Sequence, residues 1–276
     1  MATVEGRRKI DYTSGTARVW AADLERLQDF ERLIAKVVGD SRVREEMFTI
    51  DWHFHGSHGL SNVSFEELAD PELLDAAYPT IEGGVGAFVK RYLESRETVL
   101  VLQGPPGTGK TRLVRAILAA LSRRKRDIAK VLYTADRRTL ENGEIYVDFL
   151  TGEHDAFVVE DADHLLGART NGNVDLHRFL TVADGVVRAQ GRKMVFTTNL
   201  PNVGDIDAAL VRPGRCFHVL RTRALTPEEA RRLLSELPVQ DASERNAVLA
   251  RTFAQGVRAV TLAELYRAIE YRNAAV

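Results

Sequence analysis

The chain has 276 residues, of which 45% are hydrophobic and 28% are charged, and its formal net charge is −1. This composition is typical of a globular protein, and the near-zero charge excludes the strong overall positive field of a protein that binds nucleic acid through many phosphates. The single cysteine, Cys216, excludes an intramolecular disulfide and predicts a reducing compartment, here the cytoplasm.

No targeting or membrane segment is expected from the sequence. Residues 1–11 contain no apolar core, so we expect no signal peptide. Nowhere do 18 consecutive apolar residues occur, so we also expect no transmembrane helix and no membrane insertion.

Residues 1–82 are predicted to form a small α+β domain that contacts a partner or substrate. Residues 22–38 carry apolar side chains at helical spacing. Residues 48–54 alternate aromatic or aliphatic with polar side chains, which is typical of a half-buried strand. Residues 65–77 are predicted to form a further helix, and Gly83-Gly84 marks the junction with the next domain.

The segment after residues 98–103 matches the phosphate-binding P-loop pattern G-x-x-x-x-G-K-[ST]. Its glycines let backbone N–H groups converge on phosphate oxygens, and the helix predicted over residues 112–123 adds the positive end of its dipole. Lys110 is expected to reach the β- and γ-phosphates, and Thr111 is expected to ligate Mg²⁺. The residues predicted to bind the nucleotide are Gly104, Pro105, Pro106, Gly107, Thr108, Gly109, Lys110, Thr111 and Arg112.

Alternating strands and helices follow the P-loop. Strands are predicted at residues 98–103, 130–134, 156–160, 193–198 and 217–221. Such alternation predicts an α/β fold with a parallel sheet covered by helices on both faces. Residues 225–276 are helical by pattern, and Thr226–Glu229 and Thr261–Glu264 have the sequence of helix N-termini. We therefore predict a P-loop core over residues 83–224 and a small helical C-terminal domain.

Three sets of polar side chains are candidates for catalysis. Glu160 and Asp161 end an apolar strand, and in P-loop NTPases one acid of such a pair holds Mg²⁺ through water while another polarises the attacking water. Asn199 ends another apolar strand, where it could bind the attacking water and the γ-phosphate. Arg212 and Arg215 lie in one turn and could reach a neighbouring subunit's site, where guanidinium groups would stabilise transferring phosphate.

The motifs GPPGTGKT, VVEDAD, FTTN and IDAALVRPGR, in this order, resemble those of the AAA family of AAA+ ATPases. The resemblance covers about residues 85–272. It implies ATP hydrolysis with Mg²⁺, a P-loop parallel sheet with a C-terminal helical lid over residues 225–276, and a homo-oligomeric ring, expected to be a hexamer. The positions that match are Lys110 and Thr111 for Walker A, Glu160 and Asp161 for Walker B, Asn199 for sensor 1, and Arg212 and Arg215 for the arginine fingers.

The order Glu160-Asp161 is the reverse of the usual one. It is similar to the subgroup that includes the mitochondrial translocase of the Rieske protein, whose transmembrane segment is not expected here. The stretch Phe179–Gly185 is similar to the same subgroup. We assign Glu160 to Mg²⁺, through water, and Asp161 to water activation, with the exchanged roles left open.

The predicted function is that of an ATP-hydrolysing ring that remodels or translocates a protein partner. The pore-loop candidate, residues 139–144, has no aromatic side chain, which leaves polypeptide threading open. A nucleic-acid-associated ATPase is an alternative that the basic run Arg123–Arg126 supports and the net charge disfavours. A nucleotide-gated scaffold without hydrolysis is another, since the Walker B acids are exchanged.

Overall fold

The computed structural model describes residues 2–8, 13–19, 23–38, 47–57, 59–70, 72–167, 176, 191–237 and 241–273. The chain forms two compact units, Met1–Glu45 and Glu46–Val276. In the first unit, β1 (Ala2–Arg8) and β2 (Thr13–Val19) pair in an antiparallel hairpin, and α1 (Leu24–Val38) follows. The helix predicted over residues 22–38 is thereby confirmed.

A seven-stranded sheet forms the centre of the second unit, and the strands lie in the order β4-β3-β6-β7-β8-β5-β9. All neighbouring strands are parallel except β3 and β4, which are antiparallel. The strands are β3 (Met47–Gly56), β4 (Gly59–Leu68), β5 (Val99–Gln103), β6 (Ala129–Thr134), β7 (Ala156–Val159), β8 (Lys193–Thr198) and β9 (Cys216–Arg221). The five strands predicted from residue 98 onward and the parallel α/β sheet are confirmed.

Helices cover both faces of this sheet. Successive side chains of a strand point to opposite faces, and both sets are apolar and buried here. Leu100 and Leu102 of β5 belong to one buried core, and Val99 and Val101 belong to the other. Between β4 and β8, the helices whose bounds lie in the described residues are α2 (Val85–Glu94), α3 (Lys110–Lys125), α4 (Arg137–Asn142), α5 (Glu144–Thr151) and α6 (Asp163–Leu166). Buried residues of α2 and α3 line the first core, and those of α5 and α6 line the second.

The prediction of a helix over residues 65–77 is wrong. Gly59–Leu68 is a strand, and only Asp75–Ala77 forms a short 3₁₀ turn. Phe65 pairs in register with Ile50 of β3, so a cross-strand partner overrides the helical spacing of the segment. Because β3 and β4 extend the core sheet, the structural break follows Glu45. The functional division at residues 82 and 224 remains a proposal.

In the described residues after β9, three α-helices follow: α7 (Pro227–Glu236), α8 (Ala242–Thr252) and α9 (Leu262–Asn273). Thr226 begins α7 with a capping box, in which its hydroxyl accepts from the Glu229 amide at 3.3 Å and its amide donates to the Glu229 carboxylate at 2.9 Å. Thr261 and Glu264 exchange the same pair of bonds before α9, at 3.3 and 2.7 Å. Both predicted helix starts are confirmed. Among the described residues, none of the helices combines the length and the apolar character that a membrane crossing requires.

Candidate active site

The P-loop joins β5 to α3, and its glycines are required by its geometry. Gly107 and Gly109 have φ angles of 79° and 89°, in the left-handed region that favours glycine. A Cβ at Gly109 would lie 2.7 Å from the hydroxyl oxygen of Tyr78, and a Cβ at Gly104 would collide with the carbonyl of Thr222. The Tyr78 hydroxyl also donates to the Gly109 carbonyl at 3.0 Å, which fixes the end of the loop.

Lys110 is the first residue of α3, and its side chain folds back over the loop. Its ammonium group donates to the carbonyls of Gly104 and Pro105 at 2.7 and 3.0 Å, and to Oδ1 of Asn199 at 2.9 Å. Burial lowers the pKa of Lys110, whereas the carboxylates of Asp161, Asp163 and Glu160 act to raise it. The predicted phosphate-binding lysine is thus held beside the acids and the asparagine that the sequence singled out.

The Glu160 carboxylate, which follows β7, has a donor on each oxygen. The Thr111 hydroxyl donates to Oε1 at 2.6 Å, and the Tyr133 hydroxyl donates to Oε2 at 2.9 Å. Burial raises the pKa of Tyr133 well above its ordinary value of 10, and the negative charge of Glu160 raises it further. The phenol therefore remains a hydrogen-bond donor at neutral pH. Hydroxyl and carboxylate oxygens are the ligands that Mg²⁺ prefers, so this donor set fits the predicted metal.

Asp161 has a φ of 49°, which is strained for a residue other than glycine. Its amide donates to the Thr197 hydroxyl at 3.0 Å, and its Oδ1 accepts from Nδ2 of Asn199 at 3.1 Å. The second bond holds the Asp161 carboxylate beside the Asn199 amide group. Glu160 and Asp161, although adjacent in sequence, therefore have different partners in the site.

Asn199 connects the two halves of the site, because its amide group bonds both Lys110 and Asp161. Its backbone N–H donates to Oδ1 of Asp163 at 2.7 Å, and the same oxygen accepts from the Thr198 hydroxyl. The carboxyl ends of β7 and β8 are neighbours in the sheet, which brings these residues together. Lys110, Asn199 and Asp161 thus form one continuous hydrogen-bonded chain.

A cleft of about 560 Å³ opens beside these residues, and α9 forms part of its wall. The Ala263 amide donates to the Gly107 carbonyl at 3.0 Å, so the last helix is bonded directly to the P-loop. The Arg112 guanidinium lies 5.0 Å from the centre of the Tyr266 ring, a cation–π contact across the same wall. The sequence pattern located the start of α9, but nothing in it identified Leu262, Ala263 and Tyr266 as lining the cleft.

Arg212 and Arg215 lie at the other end of the parallel strands, in the turn before β9, which is the neighbour of β5. The Val99 amide donates to the Arg215 carbonyl at 3.1 Å, at the amino end of β5, whereas the P-loop follows its carboxyl end. The length of β5 separates the two ends by about 13 Å, at ~3.3 Å per residue. The Arg215 guanidinium donates to the Ala209 carbonyl, and Arg212 is exposed. Within the described part of the chain, neither arginine lines the cleft.

The structure describes one of two further segments that the sequence analysis raised, the pore-loop candidate. Residues 139–144 are not an open loop, since α4 and α5 meet at Gly143, whose φ is 79°. Leu140 and Tyr146 on either side are buried. The stretch 179–185 lies outside the described residues.

Comparisons with known proteins agree with this geometry. Residues 100–224 match the family described as "ATPase family associated with various cellular activities (AAA)". The chain is 30% identical to the 26S proteasome regulatory subunit 10B of Dictyostelium discoideum over 171 residues, which are 57% of this chain and 40% of that protein. It is 28% identical to the 26S proteasome subunit RPT4 of Saccharomyces cerevisiae over 151 residues, 49% of this chain and 32% of that protein.

An AAA-ATPase of Arabidopsis thaliana is 32% identical over 163 residues, 50% of this chain and 33% of that protein. The chain thus spans well under half the length of the relatives that it matches. The matched residues 100–224 contain the P-loop, the acid pair, Asn199 and the arginine turn. The family match and the geometry of the cleft together show that the chain contains an AAA-family ATPase domain.

Proposed function

We propose that this protein hydrolyses ATP as a homo-oligomeric ring and uses the resulting motion to remodel or translocate a protein partner. One observation carries the proposal. Lys110, Asn199 and Asp161 are joined in one cleft at the carboxyl ends of the parallel strands, while Arg212 and Arg215 lie at the amino ends. A site with this division of residues is completed only when a second subunit supplies the arginines.

Within one subunit, the contacts support a distinct role for each side chain. The amides of the P-loop and the Lys110 ammonium would bind phosphate oxygens. Asn199 would sense the γ-phosphate, a role that its bond to Lys110 supports. Thr111 and Glu160 would hold Mg²⁺, which when bound neutralises phosphate charge. Asp161 accepts from Asn199, whereas Thr111 donates to Glu160, and this difference supports the assignment of Asp161 to orienting the attacking water.

The α9 wall of the cleft offers a route from the nucleotide to the rest of the ring. Ala263 bonds the P-loop at Gly107, so a change in the loop displaces the helix that begins at Leu262. Residues 225–276 would in this way act as the lid, and closure of such elements around a nucleotide is a common mechanical step. The partner would be contacted by the segment proposed as the N-terminal domain, residues 1–82.

The shared site is tested by mixing two inactive variants. Lys110→Ala should abolish nucleotide binding, and Arg215→Ala should stop hydrolysis while preserving binding. In mixed rings, an Arg215→Ala subunit binds ATP with its own intact Lys110, and a neighbouring Lys110→Ala subunit supplies an intact Arg215 to that site. Part of the ATP turnover should therefore return. Arg231→Ala, which changes an exposed arginine of α7, is the matched control and should keep full turnover.

Different outcomes would reject different parts of the proposal. Full turnover by Lys110→Ala would remove the site assignment, and full turnover by Arg215→Ala would remove the finger role of that residue. ATP binding without phosphate release from an assembled wild-type ring would favour the nucleotide-gated scaffold. Capture of a protein by the Asp161→Asn variant, which should retain ATP, would identify the partner.

The basic run after the P-loop gives little support to a nucleic-acid partner. Arg124 donates to the Leu93 carbonyl, and Lys125 pairs with Asp155 at 2.8 Å, so two of its four cations contact the chain itself. DNA binding that weakens steeply with salt would contradict this view. The hexameric ring size, the similarity to the Rieske-translocase subgroup and the cytoplasmic location remain proposals, which rest on the motifs and on the single cysteine.

A further inference from the structure

We propose that Tyr133 is a positioning residue for Glu160 and sets the orientation of the carboxylate that would hold Mg²⁺. The inference rests on the proposed function, because it concerns the same site. Tyr133 lies outside the motifs that carry the family resemblance.

The hydrogen bonds of Glu160 define its orientation completely. Its Oε2 accepts from the Tyr133 hydroxyl at 2.9 Å, and its Oε1 accepts from the Thr111 hydroxyl at 2.6 Å. With one donor on each oxygen, the carboxylate plane cannot rotate without breaking a bond to an ionised group, which is a strong type of hydrogen bond. The oxygen beside Thr111 is therefore kept at the P-loop because the other is held by Tyr133.

The backbone places Tyr133 and Glu160 next to each other. Tyr133 lies on β6, which pairs with β7, and the Glu160 amide donates to the Thr134 carbonyl at 3.0 Å directly after the last strand pair. The separation of the two side chains is thus set by the sheet and not by a loop. A positioning residue on a strand is more precise than one on a mobile segment.

The Tyr133 ring is partly buried and packs against the first hydrophobic core. Trp52 of β3 is its register partner, and both residues line a cavity of about 290 Å³ together with Ile50 and Phe65. Thr111 and Glu160 border the same cavity at its polar end. A phenylalanine would fill the ring's position equally well, so apolar packing alone does not require the hydroxyl that reaches Glu160.

Groups that orient a metal ligand commonly alter metal affinity by about 10–100-fold when they are removed. Tyr133→Phe removes only the hydroxyl, and Thr111 still holds one oxygen of Glu160. We therefore expect a change at the lower end, about 10-fold, in the Mg²⁺ concentration that half-saturates the site.

The test is equilibrium binding of a fluorescent ATP analogue, titrated with Mg²⁺. Tyr133→Phe should bind the analogue without Mg²⁺ within about twofold of wild type, yet need about 10-fold more Mg²⁺ to reach its high-affinity state. Trp52→Phe is the matched control, since it changes the same cavity without touching Glu160, and its Mg²⁺ dependence should be that of wild type. In a Glu160→Gln background, adding Tyr133→Phe should change the Mg²⁺ dependence less than about twofold, because the two residues act as a unit.

An unchanged Mg²⁺ dependence in Tyr133→Phe, or fully additive effects in the double variant, would overturn the inference. If Tyr133→Phe lowers the melting temperature, Tyr133→Met, which also fills the space without a hydroxyl, must give the same Mg²⁺ shift or the inference fails. A wild-type protein that binds the analogue without responding to Mg²⁺ would overturn the role of Tyr133 and leave nucleotide binding intact. A wild-type protein that binds no nucleotide would overturn the proposed function as well.

Discussion

Replacement of Gly109 by alanine tests the packing that surrounds the P-loop. Gly109 has a φ of 89°, and a Cβ there would lie 2.7 Å from the Tyr78 hydroxyl oxygen and 2.8 Å from Cδ1 of Leu262. Gly83 has a similar φ of 79°, but a Cβ there would meet only the Arg91 guanidinium, at an ordinary 3.6 Å. The two glycines therefore share the backbone requirement and differ in the space around them.

The expected losses of stability follow from these two terms. A left-handed conformation costs a residue with a Cβ about 1–2 kcal/mol. Overpacking of a filled site adds about 1–3 kcal/mol. Gly109→Ala should thus lower the free energy of unfolding by roughly 2–5 kcal/mol, and Gly83→Ala should lower it by only about 1–2 kcal/mol.

Thermal unfolding without ATP compares the stability of the two variants, and the rise in melting temperature on adding ATP shows whether each still binds the nucleotide. At about 2–4 °C per kcal/mol, Gly109→Ala should melt well below Gly83→Ala. ATP should raise the melting temperature of wild type and of Gly83→Ala by mass action. Gly109→Ala should lose most of this rise, because displacing Tyr78 and Leu262 moves both the end of the loop and the start of α9.

Equal melting temperatures for the two variants would refute the reasoning. Such a result would mean that Tyr78 and Leu262 do not enclose Gly109. A full response of Gly109→Ala to ATP would separately contradict the claim that this packing shapes the cleft.

Three further predictions concern buried charges and the site network. Burial lowers the pKa of Lys193 to about 8 from an ordinary 10.5, so between these two pH values the unfolded chain binds a proton that the folded chain has lost. The free energy of unfolding should therefore rise by about 2 kcal/mol from pH 7.5 to 9.5. Lys193→Met should abolish this rise in urea titrations, and an unchanged pH dependence would contradict the reasoning. Arg115 donates to Asp70 at 2.8 Å and to the Leu68 carbonyl at 2.9 Å. In denaturant unfolding, Arg115→Ala should therefore lower the free energy of unfolding by about 1–3 kcal/mol, and by more than Arg231→Ala does. Equal losses in the two variants would argue against these contacts. Asn199→Ala should reduce ATP turnover at least about 10-fold with little change in nucleotide affinity, measured by phosphate release and by binding; full turnover would remove Asn199 from the mechanism.

The core of the fold was predictable because its signals are local. The apolar runs of β5 to β9 and the capping boxes at Thr226 and Thr261 appear in short windows of sequence, and the structure has each of them where the pattern indicates. The helix predicted over residues 65–77 is wrong because its first residues belong to the strand Gly59–Leu68, whose identity depends on pairing with β3. Cross-strand pairing contributes to stability but leaves little trace in a single strand's sequence.

For the site, too, one part was predictable from the sequence and another was not. The sequence by itself determined the chemical groups, because a glycine loop ending in Lys110-Thr111, an acid pair and a strand-terminal Asn199 belong to phosphate chemistry wherever the strands lie. Only the tertiary structure decided how these groups are connected: Thr111 and Tyr133 bond Glu160, Asn199 bonds Asp161, and the arginine turn lies at the opposite end of the strands. The physical reason is that side-chain orientation depends on neighbours from distant strands, which the order of residues along one chain does not specify.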